Sequence, residues 1–115
     1  MVRIPVPLEA EEHKIVVGYL RLMGHKFHHS PNETGHTMDA RRRAVRMKQQ
    51  GTSPGFPDFI IIVNNKMIGV ELKRRSGSVT SPEQLEWVKA LNEANIPTII
   101  AKGAAEAIEH VKKFE

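Results

Sequence analysis

Two acidic residues and one lysine stand at a spacing that suits metal-dependent chemistry. Asp58 follows Pro57 in G-F-P-D, and after twelve further residues the chain reads Glu71-Leu72-Lys73. Carboxylates packed close together raise one another's pKa unless a cation joins them. Mg²⁺ and Mn²⁺ prefer carboxylate and carbonyl oxygens, which Asp58, Glu71 and the backbone carbonyl of Leu72 can supply. The motif therefore predicts a divalent-metal site with an adjacent lysine.

A metal in such a site would serve the hydrolysis of a phosphodiester. It would polarise the phosphodiester, lower the pKa of bound water and stabilise charge on the leaving oxygen. Lys73 would orient the attacking water or offset the charge that grows on phosphorus. The triplet E-x-K is common by itself, so exposed strand-end charges are the alternative interpretation of Glu71 and Lys73.

The segment between the acids predicts a β-hairpin. Residues 59–63 and 67–70 have the length and the β-branched content of buried strands. Asn64-Asn65 lies between them and suits a two-residue turn, in which Val63 would pair with Lys66.

This register makes the motif a geometric prediction. Counting back from the turn brings Asp58 opposite Glu71, and directly opposed residues have Cβ atoms about 4.5–5.5 Å apart. The two-residue period of a strand puts Lys73 on the same face as Glu71. We therefore expect all three side chains at one end of the hairpin.

The rest of the chain predicts an α/β fold of the order α-β-α-β-β-α-β-α. A hairpin followed by a helix and a further strand implies a small mixed β-sheet flanked by helices. Ser81-Pro82-Glu83-Gln84 is a strong helix start, with Ser at the N-cap and Gln at the third helical position. Gln84 is thus a candidate for a capping role as well as for a role in the site.

Length and composition limit the possibilities further. The chain has 115 residues, which predicts a single domain over residues 1–115. It has no cysteine, no apolar run long enough to span a membrane and no apolar signal-peptide core at its start. We therefore expect a cytoplasmic protein, in a bacterial cell or a virus-infected host, that is not secreted and has no membrane partner.

Clusters of basic residues indicate a polyanionic partner. The formal net charge is +4, and residues 41–48 carry five positive charges and no acid. A solvated helix face is the alternative interpretation of this segment. The candidate phosphate contacts are Arg41, Arg42, Arg43, Arg46, Lys48, Arg74 and Arg75.

Histidines do not predict a zinc site. The spacing of His25, His28, His29 and His36 matches no standard zinc pattern, and no cysteine assists. His28 or His29 is a candidate for contact with phosphate near the cleft.

The combination of motifs resembles a known family. The chain is similar to a standalone virus-type replication-repair nuclease (VRR-Nuc) domain of the PD-(D/E)xK nuclease superfamily. The resemblance spans nearly the whole chain and rests on Tyr19-Leu20 after an acidic helix start, G-F-P-D, V-E-L-K and S-P-E-Q-L-E-W at 81–87.

The resemblance implies a restriction-endonuclease-like fold and Mg²⁺- or Mn²⁺-dependent hydrolysis of DNA. It implies structure-selective cutting of branched DNA by a homodimer that resolves four-way (Holliday) junctions; fused members of the family occur in eukaryotic DNA-repair nucleases. By this resemblance Asp58 and Glu71 are metal ligands, Lys73 is catalytic and Gln84 joins the site.

The family also carries a glutamate on its first helix. Glu9, Glu11 and Glu12 compete for this role, and the helical period puts Glu12 on the inward stripe, so Glu12 is the preferred candidate. All three acids would also be favourable at the positive end of the helix dipole.

Two alternative functions stay open at this point. The same chemistry would serve a nuclease that acts on flaps, nicked duplex or linear DNA. A non-catalytic DNA-binding module with structural acids is the other alternative.

Overall fold

The computed structural model describes residues 8–30, 38–51 and 53–115. The elements in chain order are α1 (Glu9–Met23), β1 (Lys26–His29), α2 (Met38–Gln49), β2 (Phe59–Val63), β3 (Lys66–Lys73), α3 (Pro82–Glu93), β4 (Thr98–Lys102) and α4 (Ala104–Lys112). This is the order that the sequence predicts, and the α/β fold class is confirmed.

The strands of the described residues form one mixed sheet in the order β1-β2-β3-β4. β2 is antiparallel to both of its neighbours, whereas β3 and β4 are parallel. Parallel neighbours need a crossover connection, and α3 supplies it between β3 and β4. The predicted hairpin thus forms the centre of the sheet.

The hairpin has the predicted register. Val63 pairs with Lys66, and the ladder continues to the pair Phe59 and Val70. Asn64 and Asn65 have φ angles of 49° and 63°, the left-handed conformation that a tight hairpin turn requires. Beyond the ladder, Asp58 lies in a bend.

A single apolar face of the hairpin builds the core. Its six side chains are fully buried against α1 and α4, and burial of such a side chain contributes about 1.5–3 kcal/mol. A slip of the register by one residue would expose this whole set, so the core fixes the pairing that aligns Asp58 with the end of β3. The six are Phe59, Ile61, Val63, Ile68, Val70 and Leu72.

The opposite face of the sheet carries α3 over β3 and β4. Gly69 permits the close approach of β4, since a Cβ there would lie 2.6 Å from the hydroxyl oxygen of Thr98. Near the hairpin turn this face is open, and Ile62 and Met67 are exposed.

Helix α2 differs from the other helices in its exposure. Every residue of α2 whose side chain is described is exposed, including the apolar Met38 and Val45. In the described part of the chain, no helix has both the length and the apolar character that crossing a membrane requires.

Candidate active site

Asp58 is held from two sides at the end of the hairpin. Its side chain is 1% exposed, and its Oδ2 accepts a 2.8 Å hydrogen bond from the backbone N–H of Leu72. Its backbone carbonyl accepts a further hydrogen bond of 2.8 Å from the N–H of Ser30. The carboxylate of Asp58 therefore makes a hydrogen bond to β3 just after the last backbone pair between β2 and β3, which is Phe59 with Val70.

The loop that carries Asp58 packs on the first turn of α3. Gly55 has φ +87°, and a Cβ there would lie 2.6 Å from the carbonyl carbon of Glu83 and 2.7 Å from the nitrogen of Gln84. Phe56 makes an edge-to-face contact with Trp87 at 5.0 Å between ring centroids. G-F-P-D and S-P-E-Q-L-E-W therefore pack against each other, although 22 residues lie between the two motifs in sequence.

Glu71 contacts two of the other predicted site residues, Gln84 and Lys73. Its carboxylate is 1% exposed; Oε1 accepts a 2.8 Å hydrogen bond from Nε2 of Gln84 and lies 3.7 Å from Nζ of Lys73. The other oxygen, Oε2, is buried and has no hydrogen-bond partner among the described residues. Lys73 is itself only 12% exposed, so the ammonium lies in a confined volume beside the acid.

The carboxyl of Glu71 is strongly perturbed. Burial, and next the negative charge of Asp58, raise its pKa to about 8, while the nearby Lys73 acts in the opposite direction. A buried carboxyl with an unpartnered oxygen beside a second carboxylate is a group that a divalent cation would stabilise. The donor set of two carboxylates therefore fits Mg²⁺ or Mn²⁺.

Gln84 makes hydrogen bonds that suit both of the roles that the sequence left open. Its side-chain oxygen accepts from the backbone N–H of Ser81 at 3.0 Å, and its own N–H donates to Oγ of Ser81 at 3.2 Å, which completes a capping box. At the same time its Nε2 donates to Glu71. The cap thus fixes the amide that faces the site.

Glu12 is buried, but its contacts lie at the start of α4. Its carboxylate is fully buried, whereas Glu9 is partly exposed and Glu11 is exposed. It accepts hydrogen bonds from the backbone N–H of Ala104 and from Nε of Arg75, the latter at 3.2 Å. The inward position was predictable from the helical period, whereas these partners were not.

The candidate DNA contacts belong to two segments of the chain. Arg41, Arg42, Arg43, Arg46 and Lys48 are all on α2 and all exposed. Arg74 and Arg75 follow directly after β3, where Arg74 is partly exposed and Arg75 is 57% exposed although it contacts Glu12.

Two histidines that sequence reasoning did not connect lie beside Asp58. Nε2 of His13 is 3.6 Å from Oδ2 of Asp58, and the ring centroid of His29 is 4.9 Å from that of His13. Burial lowers the pKa of His13, but the neighbouring carboxylate of Asp58 and the hydrogen bond with the carbonyl of Glu9 outweigh it and raise the pKa overall. Burial, and next the charge of His13, lower the pKa of His29.

A signal for His13 was present in the sequence. His13 lies three residues before Val16 and seven residues before Leu20, and both of these are buried residues on the same face of α1. His29 is paired with Phe59, the residue that follows Asp58, but this pairing of β1 with β2 was not predicted.

Together these features define an α/β domain whose central hairpin brings two buried carboxylates and a lysine to one end of a mixed sheet. The family model of the VRR-NUC domain matches residues 13–105, and the chain belongs to this family. Membership implies a nuclease, and hence a protein that binds DNA.

Two solved structures have a similar fold. One, titled "VRR_NUC domain protein", is 22% identical and has a TM-score of 0.77, with 96% of this chain and 90% of that chain covered. Another, titled "VRR_NUC domain", is 14% identical and has a TM-score of 0.65, with coverage of 93% and 97%. No match was found among curated proteins.

Proposed function

We propose that the chain is a single-domain, metal-dependent DNA endonuclease that hydrolyses phosphodiesters in branched DNA, with the four-way junction as its preferred substrate. The observation that carries the proposal is the buried Oε2 of Glu71 beside Asp58 and Lys73, which makes no hydrogen bond to any residue that the structure describes. A structural role for these acids gives no reason to bury two carboxylates together, because each desolvated charge raises the cost of the other.

Asp58, Glu71 and the backbone carbonyl of Leu72 would hold Mg²⁺ or Mn²⁺ in this proposal. When bound, the ion supplies Lewis-acid chemistry to the phosphodiester and to a water molecule. The 2.8 Å bond from the N–H of Leu72 orients Asp58 before the ion arrives. Gln84 holds Oε1 of Glu71 in the same way, so both carboxylates are oriented by neighbouring groups.

Lys73 would act on the scissile phosphate. Its ammonium lies 3.7 Å from Oε1 of Glu71 and is largely shielded from solvent, where its charge is weakly screened. It would orient the attacking water and stabilise the charge that develops on the phosphate oxygens. Glu12 would act from a distance, because its bonds to Arg75 and to the N–H of Ala104 fix the chain that leaves β3 and β4.

Branched DNA is favoured over a simple duplex by the position of the basic groups. The exposed arginines of α2 and the pair Arg74-Arg75 are positive groups on two separate segments of the chain, and two such groups can contact two duplex arms. A four-way junction offers two equivalent strands for cleavage, which matches the two sites of a twofold homodimer. A cytoplasmic location completes the proposal and agrees with the absence of cysteine.

The direct test is cleavage of a labelled four-way junction with Mg²⁺, with Mn²⁺ and with chelator. Lys73→Ala should lower the rate by roughly 10²–10⁴-fold. Lys102→Ala is a matched control, since Lys102 is the exposed neighbour of Lys73 on β4. Asp58→Ala should abolish cleavage, because it removes a proposed metal ligand. Undiminished cleavage by Lys73→Ala or by Asp58→Ala would contradict the proposed site.

Substrate and assembly need separate measurements. Rates on flap, nicked and linear DNA compared with the junction decide between branched-DNA specificity and a broader nuclease. Mass measurement in solution decides whether the active species is a dimer. If the protein binds DNA but neither cleaves it nor binds Mg²⁺ or Mn²⁺ in calorimetry, it is a binding module.

A further inference from the structure

Three potential metal ligands from three separate segments meet beside the proposed Mg²⁺ site. His13 of α1, His29 of β1 and Asp58 each offer one ligand atom, and these atoms all lie within 4.8 Å of one another. Both imidazole rings pack on Phe59, with centroid distances of 5.5 Å for His13 and 4.8 Å for His29. Because Phe59 is a fully buried core residue, the two rings rest on a rigid wall.

The ring of His13 is oriented as a ligand would be. Its Nδ1 lies 2.8 Å from the backbone carbonyl oxygen of Glu9. A carbonyl oxygen can only accept, so Nδ1 carries the hydrogen and Nε2 is the nitrogen available for a ligand bond. A second-sphere bond of this kind, from the far nitrogen to a backbone carbonyl, accompanies metal binding by histidine in most known sites.

The available nitrogen makes no hydrogen bond within the described part of the chain. Nε2 of His13 is buried, and among the described residues it makes no hydrogen bond; Oδ2 of Asp58 is 3.6 Å away. A buried polar atom without a hydrogen bond is unfavourable, because it has lost its bonds to water. An ion between Nε2, the ring of His29 and the carboxylate of Asp58 would satisfy it.

We propose that His13, His29 and Asp58 form a binding site for a borderline divalent transition-metal ion such as Zn²⁺ or Co²⁺. Two imidazoles and one carboxylate favour such ions, whereas the all-oxygen set of Asp58 and Glu71 favours Mg²⁺. The two sites share Asp58, so a transition-metal ion bound here competes with or adjoins the hard-metal site. The inference concerns metal selectivity and does not depend on cleavage of DNA.

The ligand atoms need a modest contraction to reach the ion. Tetrahedral bonds of about 2.0–2.1 Å separate ligand atoms by roughly 3.3 Å, compared with a span of up to 4.8 Å here. Rotation of the His29 ring, which is on an edge strand and partly exposed, can close this gap without movement of the core. Solvent access past His29 also gives the ion a path of entry.

The test is titration of the metal-free protein with CoCl₂ and, separately, with MgCl₂. Calorimetry gives both affinities, and the visible absorption of Co²⁺ reports nitrogen ligands. His13→Gln and His29→Gln should each weaken Co²⁺ binding about tenfold or more. His28→Gln is the matched control, because His28 is on the same strand and exposed, and it should bind Co²⁺ like the wild type.

Glu71→Gln separates this site from the hard-metal site. It should weaken Mg²⁺ binding and leave Co²⁺ bound with its nitrogen-ligand spectrum. Binding of Co²⁺ that is lost in Glu71→Gln but kept in both histidine variants would overturn the inference, as would the absence of Co²⁺ binding to the wild type.

A measurement on the wild type guards against variants that do not fold. In an NMR titration, paramagnetic Co²⁺ should shift or broaden the ring signals of His13 and His29 before those of His28 and His110. If the ring signals of His13 and His29 do not change while Co²⁺ binds, the ion is elsewhere and the inference is wrong.

Discussion

Gln84 donates a 2.8 Å hydrogen bond from Nε2 to Oε1 of Glu71. The same amide is held through its oxygen by the N–H of Ser81, the N-cap of α3. The helix cap and the proposed metal site therefore share one side chain. This coupling explains how a helix-start motif can serve a carboxylate that lies ten residues before it, since Glu71 precedes Ser81 by that distance.

Gln84→Glu should separate the two roles of this side chain. Glutamate also closes a capping box with serine, so the start of α3 should be retained, although the new carboxylate against Glu71 should lower the melting temperature of the metal-free protein. The variant cannot donate to Glu71, and loss of a hydrogen bond to a charged group corresponds to a roughly 10- to 100-fold fall in the cleavage rate.

Ser81→Ala is the reciprocal control. It removes the capping oxygen that the N–H of Gln84 uses and should lower the free energy of unfolding by about 1 kcal/mol. Its cleavage rate at low temperature should remain within a few-fold of the wild type. Equal losses of activity in both variants would show that the glutamine acts through the helix alone.

Gly55→Ala should be strongly destabilising, because two costs add. The residue has φ +87°, where a Cβ is unfavourable by roughly 1–2 kcal/mol, and the new Cβ would lie 2.6 Å from the backbone of α3. Gly77→Ala is the matched control: its φ is +78°, but nothing lies within 4 Å of the added Cβ. Denaturant unfolding should show a larger loss for Gly55→Ala, and equal losses would contradict the packing of the G-F-P-D loop on α3.

Local patterns predicted the part of the site that lies on one hairpin. The two-residue period of the apolar face and the Asn64-Asn65 turn determine the register, and the register determines which side chains meet at its end. The start of α3 at S-P-E-Q was also predictable from local sequence, since a capping box involves only residues that are close neighbours in the chain.

Contacts between distant segments were beyond the reach of these patterns. His13 reaches Asp58 only because α1 packs on the sheet, where its ring contacts Phe59, and His29 reaches it only because β1 pairs with β2. The contacts of Glu12 likewise depend on Gly103, where a Cβ would lie 3.2 Å from its Oε2. Such contacts depend on tertiary packing, which one sequence without relatives does not specify.

The stability of the metal-free protein should fall as the pH rises from about 5 to 8. The carboxyl of Glu71 has its pKa raised from 4.5 to about 8, so the folded state retains a proton that the unfolded state has released in this range. The contribution of this carboxyl to the free energy of unfolding is fully present below pH 4.5 and is lost as the pH rises through about 8. Urea unfolding in chelator at several pH values measures the trend.

Glu71→Gln identifies the source of this trend. The variant has no titrating group at this position, so its stability should change less between about pH 5 and pH 8 than that of the wild type. In the wild-type protein, added Mg²⁺ should restore the stability that is lost at the higher pH, because the ion replaces the proton between the two carboxylates. Parallel pH profiles of the wild type and the variant would refute the assignment.

The basic face of α2 should determine how steeply DNA binding depends on salt. Arg42 and Arg46 lie one helical turn apart and are exposed, so each can neutralise one phosphate. Arg42→Ala and Arg46→Ala should each lower the slope of log affinity against log salt by about 0.9. Fluorescence anisotropy with a labelled junction in chelator measures this slope without cleavage.

Lys112→Ala is the control, because Lys112 is an exposed cation on α4. A slope that changes equally in all three variants would exclude α2 as the specific DNA contact.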